Sequence, residues 1–397
     1  MKEKTYVEDI DRSIYDVKDE ERDAYKVDEG LTEAIVEQIS REKKDPPWME
    51  LFRLQALQIY NEMPVPDWGP SIEGLDMSHI VTYVRPNTKM TAKWSDVPQD
   101  IKDTFERLGI PQAERKSLAG VGAQYDSELV YHNVREEVAA QGVVYTDMES
   151  ALKGEYADMV QSHFMKLVKP NDHKFAALHG AVWSGGSFVY VPPGVSVTIP
   201  LQSYFRLNAP GAGQFEHTLI IVDKGAYLHF IEGCSAPKYN VANLHAGCVE
   251  LFVEEGATLR YSTIENWSKN MYNLNTKSIS KDGGISTFRS SVSITKEAAG
   301  SKSAVSCQSL MLDDISRSDT IPAMDIRTGD ADVGHEAKIG RISDDAVFYL
   351  MSRGISEEEA RSMIVSGFAS NVSKELPLEY AVEMNNLIDL EMKGSIG

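Results

Sequence analysis

A glycine that returns at a fixed interval limits the folds open to this chain more than any other feature. Val191-Pro-Pro-Gly194-Val-Ser-Val-Thr-Ile199, Val222-Asp-Lys-Gly225-Ala-Tyr-Leu-His-Phe230 and Val253-Glu-Glu-Gly256-Ala-Thr-Leu-Arg-Tyr261 share one pattern, and each step from 191 to 222 to 253 is 31 residues. A related turn recurs at Asp282-Gly283-Gly284-Ile285. Each unit reads as a strand, a tight turn at glycine and a second strand, and it can bury its apolar face only by stacking on its neighbours. The simplest such arrangement is a parallel β-helix. An antiparallel meander in a sandwich or barrel also has regular glycine turns, but the constant step favours the solenoid.

Helical signals flank this core. Leu31–Glu42 places Ile35, Val36 and Ile39 at helical spacing, and Trp48–Met63 carries Leu51, Phe52, Leu54, Leu57, Ile59 and Tyr60 on a broad face. Further helices are expected at Gln99–Leu108, Glu128–Ala140 and Met148–Leu167, which makes residues 1–165 a mainly helical N-terminal region. The β-helix is expected over 166–342. A C-terminal helical region follows over 343–397. In it Asp344–Ser352 ends before Gly354, the capping box Ser356-Glu-Glu-Glu359 opens a helix Glu357–Ser366, and Leu376–Met392 forms a last helix.

Composition narrows the function. With 40 Lys+Arg against 60 Asp+Glu the formal charge is −20, so a polyanionic nucleic acid is repelled. The first residues are charged and lack an apolar h-region, and no later stretch approaches the ~20 apolar residues that span a bilayer. The expectation is a cytoplasmic protein with no membrane partner. Cys234, Cys248 and Cys307 are an odd set without a C-x-x-C pair, which suits a reducing compartment and thiolate chemistry better than disulfides. No phosphate-binding glycine loop of either familiar pattern is present, so ATP hydrolysis is expected from a partner rather than from this chain.

Seven ordered blocks carry a resemblance that periodicity does not supply. Pro47-Trp-Met-Glu-Leu-Phe-Arg53, Leu118-Ala-Gly-Val-Gly-Ala-Gln-Tyr125, Ala181-Val-Trp-Ser-Gly-Gly-Ser-Phe188, Val191-Pro-Pro-Gly194, Ile231-Glu-Gly-Cys234, Glu265-Asn-Trp267 and Phe348-Tyr-Leu-Met-Ser-Arg-Gly-Ile355 resemble the SufB family, scaffold subunits on which the SUF machinery assembles iron–sulfur clusters. The resemblance runs from about residue 28 to the C-terminus. It implies a right-handed parallel β-helix between helical regions. It also implies a complex with a SufC-type ABC ATPase and a SufD-type paralogue or a second copy of the chain, sulfur delivered as persulfide by a cysteine desulfurase and its shuttle, and a [4Fe-4S] or [2Fe-2S] cluster, with reduced flavin as a further candidate.

Site residues follow from the same resemblance. It makes Cys307 the assembly-site ligand, with His335 and Glu336 of the Gly334-His-Glu-Ala337 motif beside it, and Cys234 the sulfur acceptor. Arg206, Asn208, Trp267 and Lys277 match positions linked to an internal polar route for sulfur, and Glu265 stands where a glutamine is expected. From the residues alone each has a plainer reading. Cys307 could be a small buried hydrophobe, with strand alternation putting it on the face of Val305 and Ser309. Arg206 and Lys277 could be solenoid surface, Asn208 a turn residue and Trp267 a core aromatic. Cys248 matches no family site and reads as structural.

One departure stands out. The motif Asn273-Leu-Asn-Thr-Lys277 runs directly into Ser278-Ile-Ser-Lys-Asp-Gly-Gly284, where the family carries further rungs between the two. Competing functions are a SufD-like scaffold without a cluster, disfavoured by the Cys234/Cys307/Glu336 combination, and a β-helix polysaccharide lyase or hydrolase, which would carry a secretion signal.

Overall fold

A computed structural model describes residues 23–373 except 67–74, 89, 100, 104–117, 237–242, 267–270, 275–276, 281–284, 295, 297–299 and 312–316. Two short strands, β1 (Asp23–Lys26) and β2 (Val84–Pro86), pair antiparallel near the start. β3 (Gly120–Tyr125) and β4 (Glu128–Val134) form an antiparallel hairpin, and β5 (Val144–Asp147) pairs antiparallel with β6 (Ser187–Val191). Every other pairing described between named strands is parallel.

Successive turns of a parallel β-solenoid run β7 (Ser196–Arg206), β8 (Gly213–Gln214) and β9 (His217–Val222), then β10 (Tyr227–Ser235), β11 (Asn243–His245) and β12 (Cys248–Val253), then β13 (Thr258–Asn266), β14 (Met271–Leu274) and β15 (Lys277–Ser280). The 31-residue step is the register. Tyr227 lies between Ser196 and Thr258, Cys248 beside His217, and Leu219 beside Phe188. The turn glycines Gly194, Gly225 and Gly256 sit at φ 73°, 66° and 70°, in the left-handed region that side chains rarely adopt, although an added Cβ at Gly194 or Gly225 would meet nothing. The repeat therefore conserves a backbone angle rather than a space. Residues one turn apart stack, as in Phe230 and Tyr261, whose rings lie 6.3 Å apart and 8° from parallel.

β7 and β10 break this step once. Leu228 pairs with Val197 but Phe230 pairs with Leu201, so β7 holds two extra residues next to Pro200, which has no N–H to give the ladder.

The solenoid changes register at a seam. β16 (Ile285–Ile294), β17 (Ser301–Met311), β18 (Arg317–Ile326) and β19 (Ala331–Arg341) continue beyond it with steps near 31, Ile285 facing Arg317 and Ser301 facing Ala331. Across the seam, however, Asn273 of β14 faces Ser286 of β16, only 13 residues on. Of the three walls, β18-β16-β14-β11-β8 runs through the seam, β13-β10-β7-β3-β4 ends at β13, and β12-β9-β6-β5 ends at β12, while β15 pairs with β17 in a separate sheet β15-β17-β19. The seam lies where the sequence runs from Lys277 directly into Ser278.

The first expected helices are present. α1 (Glu33–Lys43) is capped by Thr32, whose Oγ1 accepts from Ile35 N, and ends at left-handed Lys44. It buries Ile35, Val36 and Ile39. α2 (Pro47–Glu62) opens with proline in its first turn, but its inward face is Met49, Arg53, Ala56 and Leu57, and Leu51 of the expected apolar face is exposed. Buried Arg53 anchors α2 against the helix Lys174–Val182, which had no clear sequence signal; Gly180 there lets Ala56 approach, since an added Cβ would meet it at 3.0 Å. Lys43 joins α1 to the hairpin and to the helix Met148–Lys153 through Glu128 at 2.8 Å and Glu149 at 2.6 Å.

Two helical expectations are corrected. Glu128–Ala140 is strand β4 followed by the single turn Glu136–Ala139, because its apolar residues pair against β3. Met148–Leu167 divides at Gly154 into Met148–Lys153 and Ala157–His163. In Gln99–Leu108 the described residues 99 and 101–103 are helical, and the remainder lies outside the described residues, as does the expected helix Leu376–Met392. The C-terminal helices Asp344–Met351 and Glu357–Ser373 pack together. The capping box forms as read: Glu359 N donates to Ser356 Oγ, and Ser356 N donates to Glu359 Oε2, both at 3.2 Å. No helix among the described residues is long and apolar enough to cross a membrane.

Candidate functional site

Strand alternation in the solenoid sends every second side chain inward, and here the inward set is unusually polar. Glu216, Glu232 and His245 are buried there, and they find partners inside the coil, whereas buried His217 and Glu250 have the opposite parity and face the helices packed on the wall. Thr218 Oγ1 donates to Glu232 Oε2 at 2.7 Å, Tyr261 OH donates to Glu232 Oε1 at 2.9 Å, and His245 Nε2 contacts Glu216.

Cys234 belongs to this interior. It sits near the end of β10, in register with Phe205 and Glu265, and is 2 % exposed. Its sulfur and the donor atoms of Glu216 and His245 lie within 4.8 Å of one another. Gly233 opens no turn beside it. It is a mid-strand glycine pressed on Tyr204, where an added Cβ would come within 2.7 Å of the ring. Glu216 and His245 carried no motif of their own; the signal that could have found them is the repeat, which stacks the loop before β9 under β11 and β12.

Arg206 and Asn208 are buried rather than on the solenoid surface or in an exposed turn. Arg206 Nη1 donates to Ser235 Oγ at 3.0 Å, next in sequence to Cys234, and Tyr204 OH donates to the same hydroxyl at 2.9 Å. The Asn208 N–H donates to Asp126 Oδ1 at 2.6 Å, where the chain leaves β7. Lys277 opens β15 in register with Gln308, one position along the neighbouring strand from Cys307. Trp267 lies outside the described residues.

Cys307 lies at the middle strand of the sheet β15-β17-β19 and is 2 % exposed. It shares its face with buried Ser309, as alternation required. The register places Val305 opposite His335, so His335 reaches the sulfur from the next rung, with Nε2 3.6 Å from Cys307 Sγ. His335 Nδ1 is buried without a hydrogen-bond partner among the described residues. Burial pushes the Cys307 thiol up, and the Thr320 hydroxyl opposes the shift. Glu336 is one residue on and so faces the other way, exposed and paired with Lys338 at 2.8 Å. The fold thus joins Cys307 to His335 and holds Glu336 apart. Cys234 and Cys307 occupy different sheets on either side of the seam.

The sequence matches known relatives. The SufBD protein N-terminal region matches residues 35–203, and the SUF system FeS cluster assembly SufBD core domain matches in two overlapping pieces, 205–280 and 273–368, that divide at the seam. An iron–sulfur cluster assembly protein SufB of Bacillus subtilis strain 168 is 44 % identical, covering 98 % of this chain and 99 % of its own. Iron–sulfur cluster assembly SufBD family proteins of Staphylococcus epidermidis and Staphylococcus aureus are 42 % and 41 % identical with the same coverage. The Bacillus alignment runs over 460 positions, of which 98 % of this chain's 397 residues fill about 389, leaving about 70, or a little over two turns of 31.

Proposed function

The chain belongs to the SufBD family of SUF-system iron–sulfur cluster assembly proteins, and from that premise we propose that it is a SufB-type scaffold that accepts persulfide sulfur at Cys234 and holds a nascent cluster at Cys307 for hand-over. The observation that carries the reading is the pairing of Cys307 with His335 from the next rung, a soft and a borderline donor facing each other at 3.6 Å. Residues 166–342 take the assembly role and 343–397 the docking of the ATPase partner.

Sulfur transfer needs a Cys234 thiolate. The thiolate attacks the terminal sulfur of the incoming persulfide, the new S–S bond forms, and the donor leaves as its thiolate. The Cys234 proton passes to the Glu216–His245 pair, whose donor atoms are within reach. Arg206, hydrogen-bonded beside Cys234 through Ser235, lends positive charge to the anionic sulfur. At Cys307 the thiol is held protonated by burial, so iron must displace that proton, and the open His335 ring can receive it or ligate. Glu336 would have to leave Lys338 to join them. A cluster held by one cysteine and one histidine is short of thiolate, and a SufD-type partner or second copy completes the shell. Incomplete ligation suits a cluster that is cargo.

The test separates the two cysteines. Cys234→Ser should block persulfide transfer from a desulfurase, read by thiol labelling, yet permit anaerobic reconstitution with inorganic sulfide. Cys307→Ser should fail to build the cluster absorbance in either assay, because serine is a poor iron ligand at neutral pH. Cluster content equal to wild type in Cys307→Ser would remove that residue from the site, and like behaviour of both variants would end the division of labour.

A further inference from the structure

A second buried donor set lies apart from the residues given a role above. His179 comes from the helix Lys174–Val182, His217 from the start of β9 and Cys248 from the start of β12, and their donor atoms all lie within 4.8 Å of one another. All three side chains are buried, and His217 and Cys248 are register partners one turn apart.

Hydrogen-bond bookkeeping around the two rings leaves a gap between them. His179 Nδ1 is 2.8 Å from the Ala246 carbonyl oxygen, which can only accept, so Nδ1 carries the hydrogen and Nε2 a lone pair. His217 Nε2 is 3.2 Å from Glu250 Oε2. That carboxylate already accepts from the N–H groups of Met165 at 2.5 Å, Leu167 at 2.7 Å and Val168 at 3.1 Å, as an ionised acceptor does. The 3.2 Å contact is not aligned as a hydrogen bond, but the carboxylate's charge still favours the tautomer with the hydrogen on His217 Nε2, since the other would set a bare nitrogen against it in a dry interior. His217 Nδ1 then also carries a lone pair, and it faces His179 Nε2 at 3.0 Å. Two lone pairs at that distance repel, so a positive species belongs between them.

A shared proton or a metal ion could supply it. The proton leaves Cys248 without a purpose, and the pocket around His217 is walled by the rings of Phe164 at 4.3 Å and Trp183 at 6.1 Å. A metal uses the sulfur. With Zn–N bonds of 2.0–2.1 Å, two tetrahedral imidazole ligands stand about 3.3 Å apart, a few tenths from the spacing here.

We propose that His179 Nε2, His217 Nδ1 and Cys248 Sγ bind a single borderline-soft divalent cation of the Zn²⁺ type. The Ala246 carbonyl is the outer partner that fixes the His179 ring, the usual arrangement behind a metal-ligating histidine, and the Glu250 carboxylate lies 3.2 Å behind His217 as a charge contact. Binding releases the Cys248 thiol proton to solvent. The three donors come from the helix and from two successive turns, so the ion clamps the helix Lys174–Val182 to the solenoid wall. The site is independent of the assembly reading, which rests on Cys234 and Cys307.

The full chain, stripped with a chelator, is titrated with Co²⁺ as a spectroscopic probe. The expected result is one equivalent bound, with tetrahedral ligand-field bands and a thiolate-to-cobalt charge-transfer band that Zn²⁺ displaces. Cys248→Ser should lose the charge-transfer band, while Cys234→Ser and Cys307→Ser keep it. His217→Gln should weaken Co²⁺ binding by at least the 10- to 100-fold typical of losing an outer partner, about the minimum for a ligand. Folding is controlled by melting in chelator, where Cys248→Ser and wild type should agree and only wild type should gain melting temperature on adding Zn²⁺. No Co²⁺ binding by wild type would assign the gap to a shared proton and overturn the proposal. So would a charge-transfer band retained in Cys248→Ser, or an equal Zn²⁺-dependent rise in both proteins.

Discussion

Arg53→Met strips a buried carboxylate of its partner and so measures how firmly α2 is seated. Arg53 Nε donates to Asp45 Oδ2 at 2.7 Å with both side chains wholly shielded from solvent. Nη1 donates to Trp183 O at 2.9 Å and Ala181 O at 3.4 Å, and the guanidinium lies 4.8 Å over the Trp183 ring. Methionine keeps most of the volume, so the loss is electrostatic rather than a cavity. Asp45 Oδ1 has no hydrogen-bond partner among the described residues, so nothing else there relieves the stranded charge. Breaking one half of a buried pair costs about 3–5 kcal/mol. An unfolding entropy near 2.1 cal/mol/K per residue gives roughly 0.8 kcal/mol/K for a chain of 397 residues unfolding in one transition, so the melting temperature should fall by about 4–6 °C. Differential scanning calorimetry reads the shift. Asp45→Asn added to Arg53→Met should recover part of it, because a neutral amide is cheaper to bury. A fall below about 1 °C for Arg53→Met, or a double variant no better than the single, would refute the reasoning.

Burial depresses His132 from 6.5 to about 4, so the native state holds it neutral while the unfolded chain protonates it. Its contribution is present above pH 6.5 and is lost as pH falls toward 4, by about 3 kcal/mol in all; His132→Phe should flatten the urea-denaturation profile across that window, and an unchanged slope would count against it. Gly225→Ala should cost about 1–2 kcal/mol through its positive φ alone, since no atom lies within 4 Å of an added Cβ, and a urea midpoint loss several times larger would expose a clash the structure does not contain. Truncation after Ile342 should abolish co-purification with a SufC-type ATPase, because it removes the helices that expose Phe348, Tyr349 and Met363; full retention would move the docking surface elsewhere.

The parts legible in the sequence are those whose cause is local or periodic. The glycine step gave the register because the left-handed turn angle recurs with it, and the capping box gave the start of Glu357–Ser373 because both partners lie within one turn. Glu128–Ala140 was misread as a helix because β4 buries Leu129, Val130 and Tyr131 in a row, so no clean alternation survives to mark a strand. At the site, Cys307 and His335 were legible one by one, but their closeness depends on a one-rung offset that only register supplies. Parity along β19 then turns Glu336 away from both. Cys248 reads as structural from its sequence, and its neighbours are only half legible there: the 31-residue step already sets it beside His217, but His179 arrives from a helix with no marker of its own.

The seam also makes this molecule a shorter ruler. Strands in successive coils are spaced by about 4.8 Å, so a relative with two more coils at this place would set the parts on either side roughly 10 Å further apart. A coil touches only the coils next to it, so such a length change leaves the local geometry of either end intact. What it alters is span. Any companion that grips the N-terminal helices and the C-terminal helices of a longer relative at once will find this chain's two handles set at a different separation, and must either bend to meet them or be a companion cut to match.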